Sequence, residues 1–160
     1  MLITLEGSVK TSWWCGGSVA LVGALGICVM LSSQSDARSF PAFLGQPQVP
    51  GDYTCFVNSG GAVFNACSTT RRFCVTLPVE EPTHAIEVTV TAPDINHNIS
   101  CFGQSITRDN LNAGFTGTQS PGVFGSAQVL RLATLNVPNA GGLYACCDLA
   151  PNAVLRSFNY

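Results

Sequence analysis

Apolar and polar residues alternate one by one through Ile86-Glu87-Val88-Thr89-Val90-Thr91-Ala92. A period of two predicts a half-buried strand, with Ile86, Val88, Val90 and Ala92 on the covered face. Pro93 ends the run because it cannot donate to a ladder, and Asp94, Asn96 and Asn98 bring short polar side chains to a turn. Ile99 and Cys101 then open a returning strand that continues to Ile106. Residues 85–101 thus read as strand, polar turn and returning strand, with the remaining sheet built around them.

The same signal recurs along the chain at the spacing of an all-β domain. Strands are expected over Tyr53 to Val57, Ala62 to Ala66, Phe73 to Leu77, Gln128 to Val137, Leu143 to Leu149 and Ala153 to Tyr160. Turns fall at Asn58-Ser59-Gly60-Gly61 and Pro138-Asn139-Ala140-Gly141-Gly142, and a Gly, Asn, Thr and Ser-rich connection runs from Arg108 to Phe124. Within Phe73 to Leu77, Phe73, Val75 and Leu77 share one face, whereas Cys74 and Thr76 share the other. Likewise Leu143, Ala145, Cys147 and Leu149 oppose Tyr144, Cys146 and Asp148. About eight strands without an amphipathic helix predict an all-β fold, an antiparallel two-sheet β-sandwich over residues 53–160. Jelly-roll and immunoglobulin-like strand orders both fit this pattern.

The front of the chain reads differently. Lys10 precedes an apolar run from Ser18 to Leu31, and Ser35-Asp36-Ala37 carries small residues where a signal peptidase cuts. Residues 1–37 are therefore expected to be a signal peptide removed after Ala37. The run falls short of the ~20 apolar residues that span a bilayer, which argues against a retained anchor. Residues 38–52, with Pro41, Pro47 and Pro50, form an extended leader. Its Phe40, Phe43, Leu44 and Val49 either strap the leader onto its own domain or form an arm that completes a neighbour's sheet.

Six of the eight cysteines follow the expected cleavage point: Cys55, Cys67, Cys74, Cys101, Cys146 and Cys147. An even count behind a secretory signal implies disulfides, hence a secreted, periplasmic or cell-surface protein. Alternation sends the adjacent Cys146 and Cys147 to opposite faces of a strand, favouring two structural bridges over a vicinal redox pair.

From Cys55 onward the motifs occur in an informative order: Val63-Phe64-Asn65, Phe73-Cys74, Val88-Thr89-Val90, the Asn96 and Asn98 turn, Ile99-Ser100-Cys101, Val137-Pro138 and Tyr144-Ala145-Cys146-Cys147. This order resembles small secreted β-sandwich proteins, common in gammaproteobacteria, whose function is unassigned. The resemblance implies secretion and a sandwich, and brings no catalytic residues. That family pattern has four cysteines, and Cys67 and Cys146 are additional. The resemblance suggests pairing Cys55 with Cys74 and Cys101 with Cys147, which leaves Cys67 for Cys146, one of fifteen connectivities that six cysteines allow.

Composition removes several function classes. A formal charge of −2 leaves no basic footprint for nucleic acid. His84 and His97 are the only imidazoles and both read as solvated turn residues, with no third ligand for zinc. Asp94-x-Asn96-x-Asn98 starts like a calcium loop, but Ile99 replaces its glycine and the closing Glu is missing. Glu80 and Glu81 are adjacent loop carboxylates, and no nucleophile elbow or phosphate loop occurs. No catalytic residue, metal or cofactor is assigned. The expectation is a non-catalytic structural or interaction protein with an unknown protein or glycan as partner. Two alternatives stand beside it. One is self-association into an extracellular filament through the arm. The other is a carbohydrate-binding module, presenting aromatics such as Tyr53, Phe115 or Phe124 on one loop surface.

Overall fold

The computed structural model describes residues 38–79 and 83–160. The expected signal peptide, and Glu80 and Glu81, lie outside them. In chain order the strands are β1 (Ser39–Pro41), β2 (Gln46–Pro47), β3 (Phe56–Ser59), β4 (Ala62–Asn65), β5 (Arg71–Leu77), β6 (Thr83–His84), β7 (Glu87–Thr91), β8 (Ile99–Ile106), β9 (Asn112–Phe115), β10 (Gln128–Arg131), β11 (Leu135–Asn136), β12 (Gly142–Leu149) and β13 (Val154–Asn159). Two short 3-10 turns, Ala42–Leu44 and Pro50–Cys55, are the helical elements among the described residues.

Two antiparallel sheets pack face to face. One has the order β10-β7-β13-β4-β3, with β1 on the free half of β13; the other has the order β2-β5-β12-β8-β9. A small β6–β11 pair stands apart from both. From β4 to β5, β7, β8, β10, β12 and β13 the chain repeatedly crosses between sheets, the connectivity of a jelly roll rather than a run of hairpins. The core is the sum of the alternating faces. Val88, Val90, Leu155, Phe158 and Val63 from the first sheet meet Phe73, Val75, Leu77, Ile99, Leu143, Ala145 and Leu149 from the second, all at most 3% exposed.

Several expectations are corrected here. The turn over residues 92–98 does not close a hairpin; it carries the chain from β7 in one sheet to β8 in the other. The strand expected from Tyr53 to Val57 begins instead at Phe56, because Pro50 starts a 3-10 turn in which the Asp52 amide donates to the Val49 carbonyl at 2.9 Å. It then runs to Ser59, since only Gly60 and Gly61 occupy the turn, both at positive φ (57° and 87°) as a two-residue hairpin requires. The strand expected from Gln128 to Val137 breaks after Arg131. Its partner β7 begins at Glu87, so the chain steps off the ladder and re-forms as β11 against β6. His84 accordingly lies in a short strand rather than a loop, its ring edge-on to Tyr160 at 6.0 Å. The strand count exceeds eight because the leader and the connections contribute short strands of their own.

The leader pairs with its own chain. β1 lies on β13 and β2 on β5, and Ala42 between them is completely buried. Phe40 packs against the core, whereas Phe43, Leu44 and Val49 are exposed.

Three disulfides are present: Cys55–Cys67, Cys74–Cys146 and Cys101–Cys147. Cys55–Cys74 and Cys67–Cys146 do not form. Cys55 ends the turn before β3, and the β3–β4 hairpin returns Cys67 to a Cα separation of 5.0 Å, so that pair closes locally. Cys74 instead faces Cys146 across β5 and β12, and Cys101 faces Cys147 across β8 and β12, each at a Cα separation of 4.1 Å. Such closeness belongs to the non-hydrogen-bonded pairs of an antiparallel ladder. On a strand flanked on both sides, successive residues make these close pairs with alternate neighbours while pointing to alternate faces. The Cys146-Cys147 dipeptide therefore binds both neighbours of β12, one bridge outside and one in the core. Each is expected to stabilise by roughly 2–4 kcal/mol.

Among the described residues, two polar side chains are fully buried, and they differ in how they are satisfied. Asn65 Nδ2 donates to the carbonyls of Thr69 (2.8 Å) and Leu149 (2.7 Å), while its Oδ1 accepts from the Cys67 amide (2.9 Å). It thereby ties β4 in one sheet to the end of β12 in the other. The Ser105 hydroxyl has no partner among the described residues. Asn65→Ala is expected to cost about 1–3 kcal/mol in urea unfolding, because it takes the partner from the buried Leu149 carbonyl and from the part-buried Thr69 carbonyl and Cys67 amide. Ser105→Ala should be neutral or stabilising by up to about 1 kcal/mol. Equal losses from the two substitutions would contradict this contrast.

Candidate functional site

The outer face of the second sheet has no layer over it among the described residues, and the ladder registers lay its side chains out in rows. Gln46, Cys74, Cys146 and Phe102 align across β2, β5, β12 and β8. Thr76, Tyr144, Gln104 and Phe115 align one step along, across β5, β12, β8 and β9. On the other side of the first row stand Arg72, Asp148 and Ser100, and the Gln48 amide donates to the Arg72 carbonyl at 3.0 Å.

A shallow groove of ≈340 Å³ crosses these strands. Gln46, Gln48 and Gln104 supply amides to its wall, Thr76 and Tyr144 hydroxyls, and Ile106 and Pro47 apolar surface; the Cys74–Cys146 bridge completes the lining. None of the lining residues is charged. Beside the groove, Arg72 and Asp148 neutralise one another in a two-point pair, Nε to Oδ1 at 2.7 Å and Nη2 to Oδ2 at 2.8 Å. That hydrogen bond holds the Arg72 guanidinium above its ordinary pKa. The guanidinium also lies 5.0 Å from the centroid of the Phe102 ring, which in turn meets Phe115 at 5.3 Å. Phe115 is half-exposed, and the two rings, tilted at 49° to one another, form an apolar patch beside the groove residues Cys146 and Gln104.

The aromatics expected to share one loop surface lie on separate elements. Tyr53 projects from the Pro50–Cys55 turn, Phe124 packs on the core, and Phe115 belongs to β9. Sequence alone does not mark Tyr144, Gln104 and Phe102 as binding residues. Their outward face was legible from alternation, but their alignment depends on register between distant strands.

The Asn turn lies elsewhere, in the crossing between sheets. Asp94 Oδ1 accepts from the amides of Asn96 (2.8 Å) and His97 (2.9 Å), and its Oδ2 lies 2.9 Å from His97 Nδ1. The carboxylate is thus engaged in capping its own turn. Among the described residues no three His, Cys, Asp or Glu side chains gather as a metal site.

No protein-family model matches the chain, and no curated protein matches it. The solved structures similar to this chain at low identity include the following two. One is the isomalto-dextranase of Arthrobacter globiformis T6 complexed with panose, at TM-score 0.41 and 13% identity, covering 66% of this chain and 17% of that one. The other is a carbohydrate-binding module from Cellvibrio mixtus lichenase 5A in complex with cellotriose, at TM-score 0.42 and 14% identity, covering 76% of this chain and 94% of that one.

The His97 ring bond, followed by the two turn amides, holds the Asp94 carboxyl below the usual aspartate range. A lowered carboxyl favours the folded state when ionised, so its contribution is full above the unfolded value and is lost as pH falls through the lower folded value. His97→Ala is expected to raise the Asp94 titration toward the ordinary range in a carboxyl-detected NMR experiment. An unchanged midpoint would show that the ring contributes nothing.

Proposed function

We propose that this chain is a secreted, non-catalytic binding module that holds a neutral glycan across the outer face of the second sheet. The observation that carries the reading is the uncharged groove of amides and hydroxyls beside the Phe102–Phe115 patch. A sugar ring has an apolar C–H face and a rim of hydroxyls that both donate and accept. Aromatic rings suit the first, and Gln side chains, each with a carbonyl acceptor and two amide donors, suit the second. The groove volume lies at the small end of the range for ligand sites, in keeping with one short stretch of a chain rather than an engulfed molecule. Mutual neutralisation of Arg72 and Asp148 leaves little net charge to attract an ionic ligand. Three disulfides suit an oxidising compartment outside the cytosol.

The test is affinity electrophoresis of the folded protein in gels containing hydroxyethyl-cellulose, xyloglucan, galactomannan or dextran, with polygalacturonate as the acidic comparison. Retardation by at least one neutral polymer is expected, and Tyr144→Ala should reduce it by roughly tenfold or more in apparent affinity. Free migration in every gel, or retardation indifferent to Tyr144→Ala, would overturn the proposal.

A further inference from the structure

The groove is not made by the sandwich alone. Gln46, Pro47 and Gln48, which line one side of it, belong to the leader. That leader rests on the edge of β5 through the pairs Gln46↔Cys74 and Pro47↔Phe73 and the bond from the Gln48 amide to Arg72. Without it, β5 would be the bare edge of the second sheet and the face would be open on that side.

Seating of the leader turns on one residue. A Cβ at Gly45 would lie 2.5 Å from the Cys74 carbonyl oxygen, Phe73 Cε1 and Val75 Cγ2, so this position has no room for a side chain. Its φ of −83° is open to any residue, and the constraint is therefore space, not backbone conformation. The carbonyl belongs to a strand fixed along its length by β12 and cross-linked to it by a disulfide, and cannot retreat cheaply. Beyond the seat, Pro50 and Gly51 are exposed and a Cβ at Gly51 would touch nothing, so the tight contact is local to residues 42–48.

We infer that the leader is the specificity-determining wall of the glycan groove and that Gly45 is its positioning residue. This rests on the glycan-binding reading above. A ligand that touches Gln46 and Gln48 binds the seated leader better than the unseated one, so binding and seating stabilise one another by the same free energy. The leader therefore does more than close the sandwich: by residue choice at 46 and 48 it selects which hydroxyl pattern the groove accepts.

Three variants of the full chain, Gly45→Ala, Gln46→Ala/Gln48→Ala and Tyr144→Ala, separate this inference from the one beneath it. The probe is the neutral polysaccharide that retards the parent protein most in the panel above, and amide hydrogen exchange is followed in parallel. The Gln46→Ala/Gln48→Ala variant should lose roughly tenfold in apparent affinity while the β12 amides keep their protection. Gly45→Ala should lose at least as much and should expose the Gln48 amide to fast exchange, again with β12 protected. Adding the polysaccharide to the parent should slow exchange at Gln48. Retention of parental affinity in the Gln46→Ala/Gln48→Ala variant, with Tyr144→Ala inactive, would overturn the leader's role and leave the binding reading intact. Indifference of binding to all three, or no binding at all, would overturn both. If Gly45→Ala unfolds β12 as well, the Gln46→Ala/Gln48→Ala variant alone decides.

Discussion

Two adjacent cysteines on one inner strand hold the second sheet together, and the rest of the molecule depends on them. β12 has β5 on one side and β8 on the other, so Cys146 and Cys147 point to opposite faces and meet opposite neighbours. Cys101–Cys147 lies in the core, where both residues are fully buried and replace an aliphatic contact with a covalent one. Cys74–Cys146 lies on the outer face, where it forms a low floor between Gln46 and Phe102. A compact floor with longer side chains around it is what leaves room for a groove.

The leader and the buried amide extend the same arrangement. Asn65 joins the sheets at one end through a carbonyl of β12, so the stapled strand also anchors the sandwich across its thickness. The leader closes both sheets, β1 on β13 and β2 on β5, and at Gly45 it approaches β5 too closely to admit a Cβ. Fold and candidate site consequently share residues: Cys74 is at once a bridge, a ladder partner of the leader and part of the groove lining.

Alternation made the long strands legible, with their faces. Val88, Val90, Phe73, Val75, Leu77, Leu143, Ala145, Cys147 and Leu149 are buried where the period of two places them, because each belongs to a strand covered on one side. The Asp94 turn was legible for the same local reason, since its side chain serves amides two and three residues on. What could not be read depends on register between distant segments. β1, β2, β6, β9 and β11 are two to four residues long, too short for a period, and exist because a partner edge is present. Two of the three disulfides differ from the pairing expected from sequence because Cys74 and Cys146, 72 residues apart, meet only once β5 and β12 are aligned. The candidate face is half legible in the sequence: alternation makes Tyr144 and Cys146 point together, but does not place Gln46, Gln104 and Phe102 beside them.

Disulfide mapping tests the central claim most directly. Tryptic digestion without reduction should cut after Arg38, Arg71, Arg72, Arg108, Arg131 and Arg156, placing the six cysteines on peptides 39–71, 73–108 and 132–156. The stapled-strand account predicts that 39–71 is released alone with one internal bridge, and that 73–108 and 132–156 stay joined by two bridges. Electron-transfer fragmentation between Cys146 and Cys147 should then assign Cys74 to the first and Cys101 to the second. A bridge linking 39–71 to either other peptide, or the crossed assignment, would contradict it.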